Sequence, residues 1–139
     1  CYDNTRIIKF DKNGKRLETW GTKGKGPGQF NVQVHDVEFD SKGRIYVGDR
    51  GNERVQVFDA NHKFIEEWPH ISRPSFVWTT KDNHVWVVAG TDNRLAEYDM
   101  RRQLRRQFSG VCRGARPAAL HAGEYAPFGR HTTRLGNRR

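Results

Sequence analysis

The chain has only two cysteines, Cys1 and Cys112, and their separation matches no metal or redox motif. One disulfide is the most it can form, which rules out a small scaffold stapled by several bridges. No apolar run approaches the ~18 residues a membrane-spanning helix needs. No basic flank with an apolar core, the mark of a secretory leader, stands at its head. Cys1 rather than Met comes first, and Tyr2-Asp3-Asn4-Thr5-Arg6 runs straight into a strand pattern, so the expectation is a chain cut from a longer one. Before residue 100 no window carries an i, i+3, i+4, i+7 apolar stripe, so helices are not expected.

Lysine is also missing from one region. Residues 101–139 hold 10 Arg, no Lys and a single acid, Glu124, whereas residues 1–100 hold 8 Lys and 7 Arg against 15 Asp or Glu. The overall net charge of +9 therefore belongs to the last 39 residues alone. This asymmetry marks a boundary, not a basic protein.

A repeat is present instead. Arg6-Ile-Ile-Lys-Phe-Asp11 corresponds to Arg54-Val-Gln-Val-Phe-Asp59 at a shift of 48, and the match runs on to Trp20 and Trp68. A shift of 40 lays Arg54–Trp68 onto Arg94–Phe108, and residues 31–52 onto residues 71–92. The period is close to the ~40–45 residues of a four-stranded propeller blade. Strand assignments follow from alternation: Val55 and Val57 face one way, and Arg54, Gln56 and Phe58 the other. Asp11-Lys-Asn-Gly14 and Asp40-Ser-Lys-Gly43 are turns with an Asp at the entry and a Gly where positive φ is needed. Asn83 takes the glycine role in the third copy, and Arg102, a poor choice, in the last. Gly21-Thr-Lys-Gly-Lys-Gly-Pro-Gly28 lacks the Gly-Lys-Ser/Thr ending of a phosphate loop and leads to a strand, so it reads as a connection between blades.

The resulting expectation is an all-β chain with residues 1–29 as the second half of a blade plus a loop. Residues 30–70 form one complete blade, residues 71–108 a degraded one, and residues 109–139 an irregular Arg-rich C-terminal tail. Asn4, Arg6, Trp20, Asp49, Asn52, Arg54, Trp68 and Arg94 recur with the repeat, which assigns them structural work. For Asp49, Asn52 and Arg54 that work is hydrogen bonding in the loop between second and third strands. His62, His70, His84, His121 and His131 have no ligand spacing and read as loop or surface residues.

Asn4-x-Arg6-Ile, Trp20-Gly21, Gly26-Pro-Gly-Gln-Phe30, Val34-His35-Asp36-Val37 and Gly43-Arg-Ile-Tyr-Val47 through Val57-Phe58 carry a family resemblance. The chain resembles NHL-repeat β-propellers, and within them the peptidylamidoglycolate lyase family. Members of that family have six blades, so this chain corresponds to about two and a half of the six. The resemblance implies a lyase acting on a C-terminal α-hydroxyglycine, with zinc held by histidines projecting into the central channel. Only His35 matches such a ligand, and Ser75 stands at its position one blade later. The resemblance therefore implies zinc in a complete propeller and no cofactor for this chain alone. It also implies an extracytoplasmic or secreted location.

Three functions follow. The first is a scaffold that binds protein or peptide ligands through loops on one face. The second is a lyase-like metal enzyme in a longer parent, not competent as this chain. The third is RNA binding, which the zero net charge of residues 1–100 disfavours. Partners expected from the open repeat are missing propeller blades or a second copy of the chain.

Overall fold

The computed structural model describes residues 5–99 and 101–109. Asn4, Cys1, Cys112, His121, His131 and the tail beyond Ser109 lie outside the described residues. Among the described residues twelve strands follow in order: β1 Ile7–Phe10, β2 Arg16–Trp20, β3 Thr22–Lys23, β4 Gln29–Phe30, β5 Val34–Phe39, β6 Ile45–Asp49, β7 Arg54–Phe58, β8 Phe64–Trp68, β9 Pro74–Thr79, β10 Val85–Ala89, β11 Arg94–Tyr98 and β12 Leu104–Ser109. A 3-10 turn, Arg50–Asn52, joins β6 to β7. Strands β5–β8 and β9–β12 form two antiparallel four-stranded meanders, and β1–β2 a two-stranded hairpin. The short β3 and β4 pair in parallel within the loop between hairpin and first meander. This is a partial propeller. No helix among the described residues is long and apolar enough to cross a membrane.

One local device makes every β7–β8-type hairpin. Asp11, Asp59 and Asp99 each accept, on one carboxylate oxygen, the backbone N–H groups two and four residues ahead at 2.8–2.9 Å. Asp40 does the same between β5 and β6, and between β9 and β10 the Thr80 hydroxyl accepts from the His84 N–H. The residue at the fourth place is left-handed throughout: Gly14 (φ 82°), Gly43 (77°), His62 (65°), Asn83 (63°) and Arg102 (61°). A side chain other than glycine or asparagine costs about 1–2 kcal/mol there, so His62 and Arg102 are held by the Asp that precedes them. Each of these three hairpins carries a bulge at the equivalent step, Lys9/Phe10, Val57/Phe58 and Glu97/Tyr98.

The sheets stack face to face and bury two apolar layers. Phe30, Ile45, Val47 and Phe58 fill the first, with Ile7 and Trp20 of the hairpin packed against them. Tyr46, Val55, Val57, Trp68, Ile71, Val77, Val85, Val87 and Ala89 fill the second. Every residue of β6 and β7 is buried, so the face that carries Arg54, Gln56 and Phe58 is covered as well as the face of Val55 and Val57. The innermost strands β5 and β9 are tied across the second layer. Asp36 Oδ2 accepts from the Val77 N–H at 2.8 Å, and the Thr79 hydroxyl donates to the Phe39 carbonyl at 2.6 Å.

Candidate functional site

Three connections converge at one end of the first meander: the long loop after β2, the Arg50–Asn52 turn and the short loop after β8. What fixes them is a buried polar cluster. Asp49, fully buried, accepts on Oδ2 from Asn52 Nδ2 at 2.8 Å, Arg54 Nε at 2.9 Å and Gln56 Nε2 at 3.2 Å. Its Oδ1 takes the Asn31 N–H at 3.2 Å. From this base Arg54 reaches outward, donating to the carbonyls of Lys25, Gly26 and Gln29 at 2.7, 3.0 and 2.9 Å and to the Glu67 carboxylate. Gln56 closes the set, donating to the Gln29 carbonyl and accepting from the Gly28 N–H. Asn52 donates to the Gly24 carbonyl at 2.9 Å. Burying a guanidinium is costly unless it is paired and its donors are used, and both conditions hold here.

Asp49, Asn52 and Arg54 therefore bond one another and grip the loop that enters their own blade. The second meander keeps only part of this arrangement. At the places of Asp49 and Gln56 stand Ala89 and Ala96, and the connection entering it has 5 residues from β8 to β9 where the first has 13 from β2 to β5, β3 and β4 included. Arg94 is left 3.7 Å from Asp92, with its buried Nε unpartnered. Trp20 packs edge-on against Phe58 at 4.7 Å and stacks on His62 at 4.8 Å; Trp68 meets Tyr46 at 5.6 Å and Tyr98 at 5.4 Å. Arg6 is exposed.

Above the cluster lies a cleft of about 620 Å³, walled by Lys25, Asn31, Arg50, Asn52, His70 and Arg73 among others. Two of its lining residues also hold a polar atom buried beneath the surface without a hydrogen-bond partner, Arg50 Nε and Asn52 Oδ1. Four further wall residues that are not glycine hold positive φ: Gln33 (77°), Glu53 (54°), His70 (60°) and Arg73 (45°). Such conformations cost about 1–3 kcal/mol each and gather where a surface is shaped for use. Gly51 must be glycine, because a Cβ there would collide with the Val32 carbonyl oxygen.

His35 sits at the start of β5, in a bulge between Val34 and Asp36, with its ring edge-on to Phe76 at 5.9 Å. Its Nδ1 is buried and unpartnered. Asp36 does not orient the imidazole; its oxygens take the N–H groups of Val37 and Val77. Deeper in the same interface, burial pushes the Glu38 carboxyl up, opposed by a hydrogen bond from Thr79 and reinforced by Asp36. Among the described residues no three His, Cys, Asp or Glu side chains come together as a metal site. One imidazole does not hold zinc, so His35 fits only as one member of a ligand set completed elsewhere. His84, half-buried just before β10, bonds the buried Glu97 carboxylate at 2.8 Å through Nδ1.

Stacked antiparallel four-stranded sheets tied at their inner strands are the construction of a propeller. A family model described as 6-bladed beta-propeller (DUF5128) matches residues 2–110, and the chain belongs to that family. Its similarity extends to human NHL repeat-containing protein 3, 40% identical over 95 residues, covering 62% of this chain and 26% of the relative. It also extends to mouse peptidyl-glycine alpha-amidating monooxygenase, 36% identical over 76 residues, covering 51% of this chain and 8% of the relative. The chain thus spans about a quarter or less of the length of these relatives. Among solved structures, virginiamycin B lyase from Staphylococcus aureus superposes with a TM-score of 0.58 at 14% identity, over 78% of this chain and 35% of the other. A Bacteroides caccae protein of unknown function gives 0.60 at 14% identity, over 76% and 38%. At that identity the likeness speaks for the fold alone.

Proposed function

We propose that this chain serves as a binding scaffold and that the cleft over the Asp49 cluster takes a peptide segment of a protein partner. The observation that carries the reading is the cleft wall itself: Arg50, His70 and Arg73 line it beside the Asn31 and Asn52 amides, and four of its residues hold left-handed backbone. Its guanidinium and amide groups can donate to a peptide's carbonyls and its amide oxygens can accept from a peptide's N–H groups. The left-handed wall residues and the gripped loop hold the cleft ready before a ligand arrives, which reduces the ordering cost of binding. Capture from an array of immobilised random peptides tests this. Wild-type chain should enrich a subset of peptides, and Arg50→Ala should lose them by roughly tenfold, the value of one charged hydrogen bond. Equal capture by Arg50→Ala would sink the proposal.

A second reading rests on His35. Its unpartnered Nδ1 at the head of an innermost strand, with the similarity to the amidating monooxygenases, supports a metal-assisted lyase in a longer parent protein. When bound, zinc would supply Lewis-acid polarisation of a substrate oxygen, and His35 would supply one imidazole toward it. Elemental analysis of the longer parent should find zinc that His35→Ala loses; a parent with no metal ends this reading. The RNA-binding alternative gains nothing from the described residues.

A further inference from the structure

We propose that the cleft over the Asp49 cluster selects peptide segments that carry Asp or Glu side chains, received by Arg50 and Arg73. This rests on the reading of the cleft as a peptide site and names what the site recognises. The inference comes from a local excess of charge in a chain body that has none. In residues 1–100, 8 Lys and 7 Arg balance 15 Asp or Glu. The cleft, by contrast, is lined by Lys25, Arg50, Arg54 and Arg73 against Glu53 and Glu67. Arg54 is spent inside the protein, on Asp49 and Glu67. Lys25, Arg50 and Arg73 make no ion pair among the described residues, and neither does Glu53. Three cations and one uncommitted acid therefore surround the opening. In a concave site with low-dielectric walls such an excess attracts an anion more strongly than it would on open surface.

The backbone beneath each of these cations is pinned before a ligand arrives. The Lys25 carbonyl accepts from Arg54 at 2.7 Å, and the Arg50 carbonyl accepts the Glu53 N–H at 3.3 Å. The left-handed Arg73 (φ 45°) is held through its carbonyl, which accepts both the Gly90 N–H and the Ser75 hydroxyl at 3.2 Å. The loops are also tied to one another. Ile71 donates its N–H to the Glu53 carbonyl at 3.0 Å, and Asn31 Nδ2 donates to the Gly51 carbonyl at 3.2 Å. Little backbone ordering is left to oppose binding. The planar fork of a guanidinium matches a carboxylate, and such charged pairs are about twice as strong as neutral hydrogen bonds. The wall also favours a peptide acid over the phosphates of a nucleic acid. Among the described residues its lining has no Phe, Tyr or Trp on which a base would stack, and two glutamates stand in it.

The test uses the full chain on random peptides immobilised through their C-termini, so that only side chains present carboxylates. Captured peptides should be enriched in Asp and Glu. Replacing the acid of a captured peptide by its amide should weaken its binding in solution about tenfold or more, the value of one charged hydrogen bond. That change alters the peptide alone, so it holds whether or not a protein variant folds. Arg50→Gln with Arg73→Gln should lose the same peptides. Lys42→Gln with Lys63→Gln removes equal charge from exposed turns at the opposite end of the first meander and should keep them. Equal capture by wild type and the Arg50/Arg73 variant, or equal loss in both double variants, overturns the inference in favour of overall charge, residues 101–139 included. A captured subset without acidic enrichment that Arg50→Ala still loses overturns it and leaves the peptide site standing, whereas capture of no subset overturns both. A single-stranded RNA that binds more tightly than every captured peptide, and is lost with Arg50 and Arg73, overturns it in favour of nucleic acid.

Discussion

Asp49→Ala will lower the unfolding free energy by about 3–5 kcal/mol, the cost of leaving a buried charge without its partner. The carboxylate is fully buried, and three side chains and one backbone N–H converge on it. Its removal leaves Arg54, 6% exposed, paired only with Glu67, whose side chain is 41% exposed, and with loop carbonyls. The size is set by desolvation rather than by Coulomb attraction, so the neutral Asp49→Asn should also lose most of it. Replacing both partners, Asp49→Ala with Arg54→Leu, should cost less than the two single changes together. Urea unfolding at fixed chain concentration reads all of these as shifts in midpoint, and a single-variant loss below about 1 kcal/mol would show that the cluster is not what holds the loop.

Trp68→Ala should cost a similar amount, about 3–5 kcal/mol, for a different reason. Trp68 is 2% exposed, lies edge-on to Tyr46 and beneath Tyr98, and donates its indole N–H to Glu66 at 3.1 Å. It is a principal aromatic contact between the meanders, so its loss should loosen one sheet from the other before either unravels. Hydrogen exchange should then accelerate in β10 and β11 more than in β1 and β2. Uniform acceleration, or none, would contradict this view of the layer.

Much of the architecture was legible because the repeat is written in residues with unmistakable jobs. The Asp at four of the five described turn entries, with Thr80 at the fifth, and the aromatic near the end of each fourth strand mark the hairpins, and even Arg102 was readable as a strained substitute. The cleft was not legible. Gln33, Glu53, His70 and Arg73 hold left-handed backbone without the glycine or asparagine that signals it, because the loops on either side dictate their shape. The recurrence of Asp49 and Arg54 flagged a structural cluster, but its targets are the backbone carbonyls of Lys25, Gly26 and Gln29. Carbonyls leave no trace in residue identity. Burial of both faces of β7 was hidden for a related reason: alternation separates Arg54, Gln56 and Phe58 from Val55 and Val57 but does not show that a loop covers the polar pair.

The contrast between the two meanders has a consequence for how this architecture diversifies. A 13-residue entry segment accompanies Asp49 and Gln56, and a 5-residue segment accompanies Ala89 and Ala96. Segment and anchors therefore work as one physical unit in this chain: the long segment is held because Asp49 and Gln56 stand beneath it, and the short one has no such hold. A lengthened entry segment beside Ala89 would arrive without its clasp, and Asp49 under a shortened one would keep its charge with less backbone to hold. The propeller can thus vary the shape of one rim blade by blade while the strands beneath it stay in register.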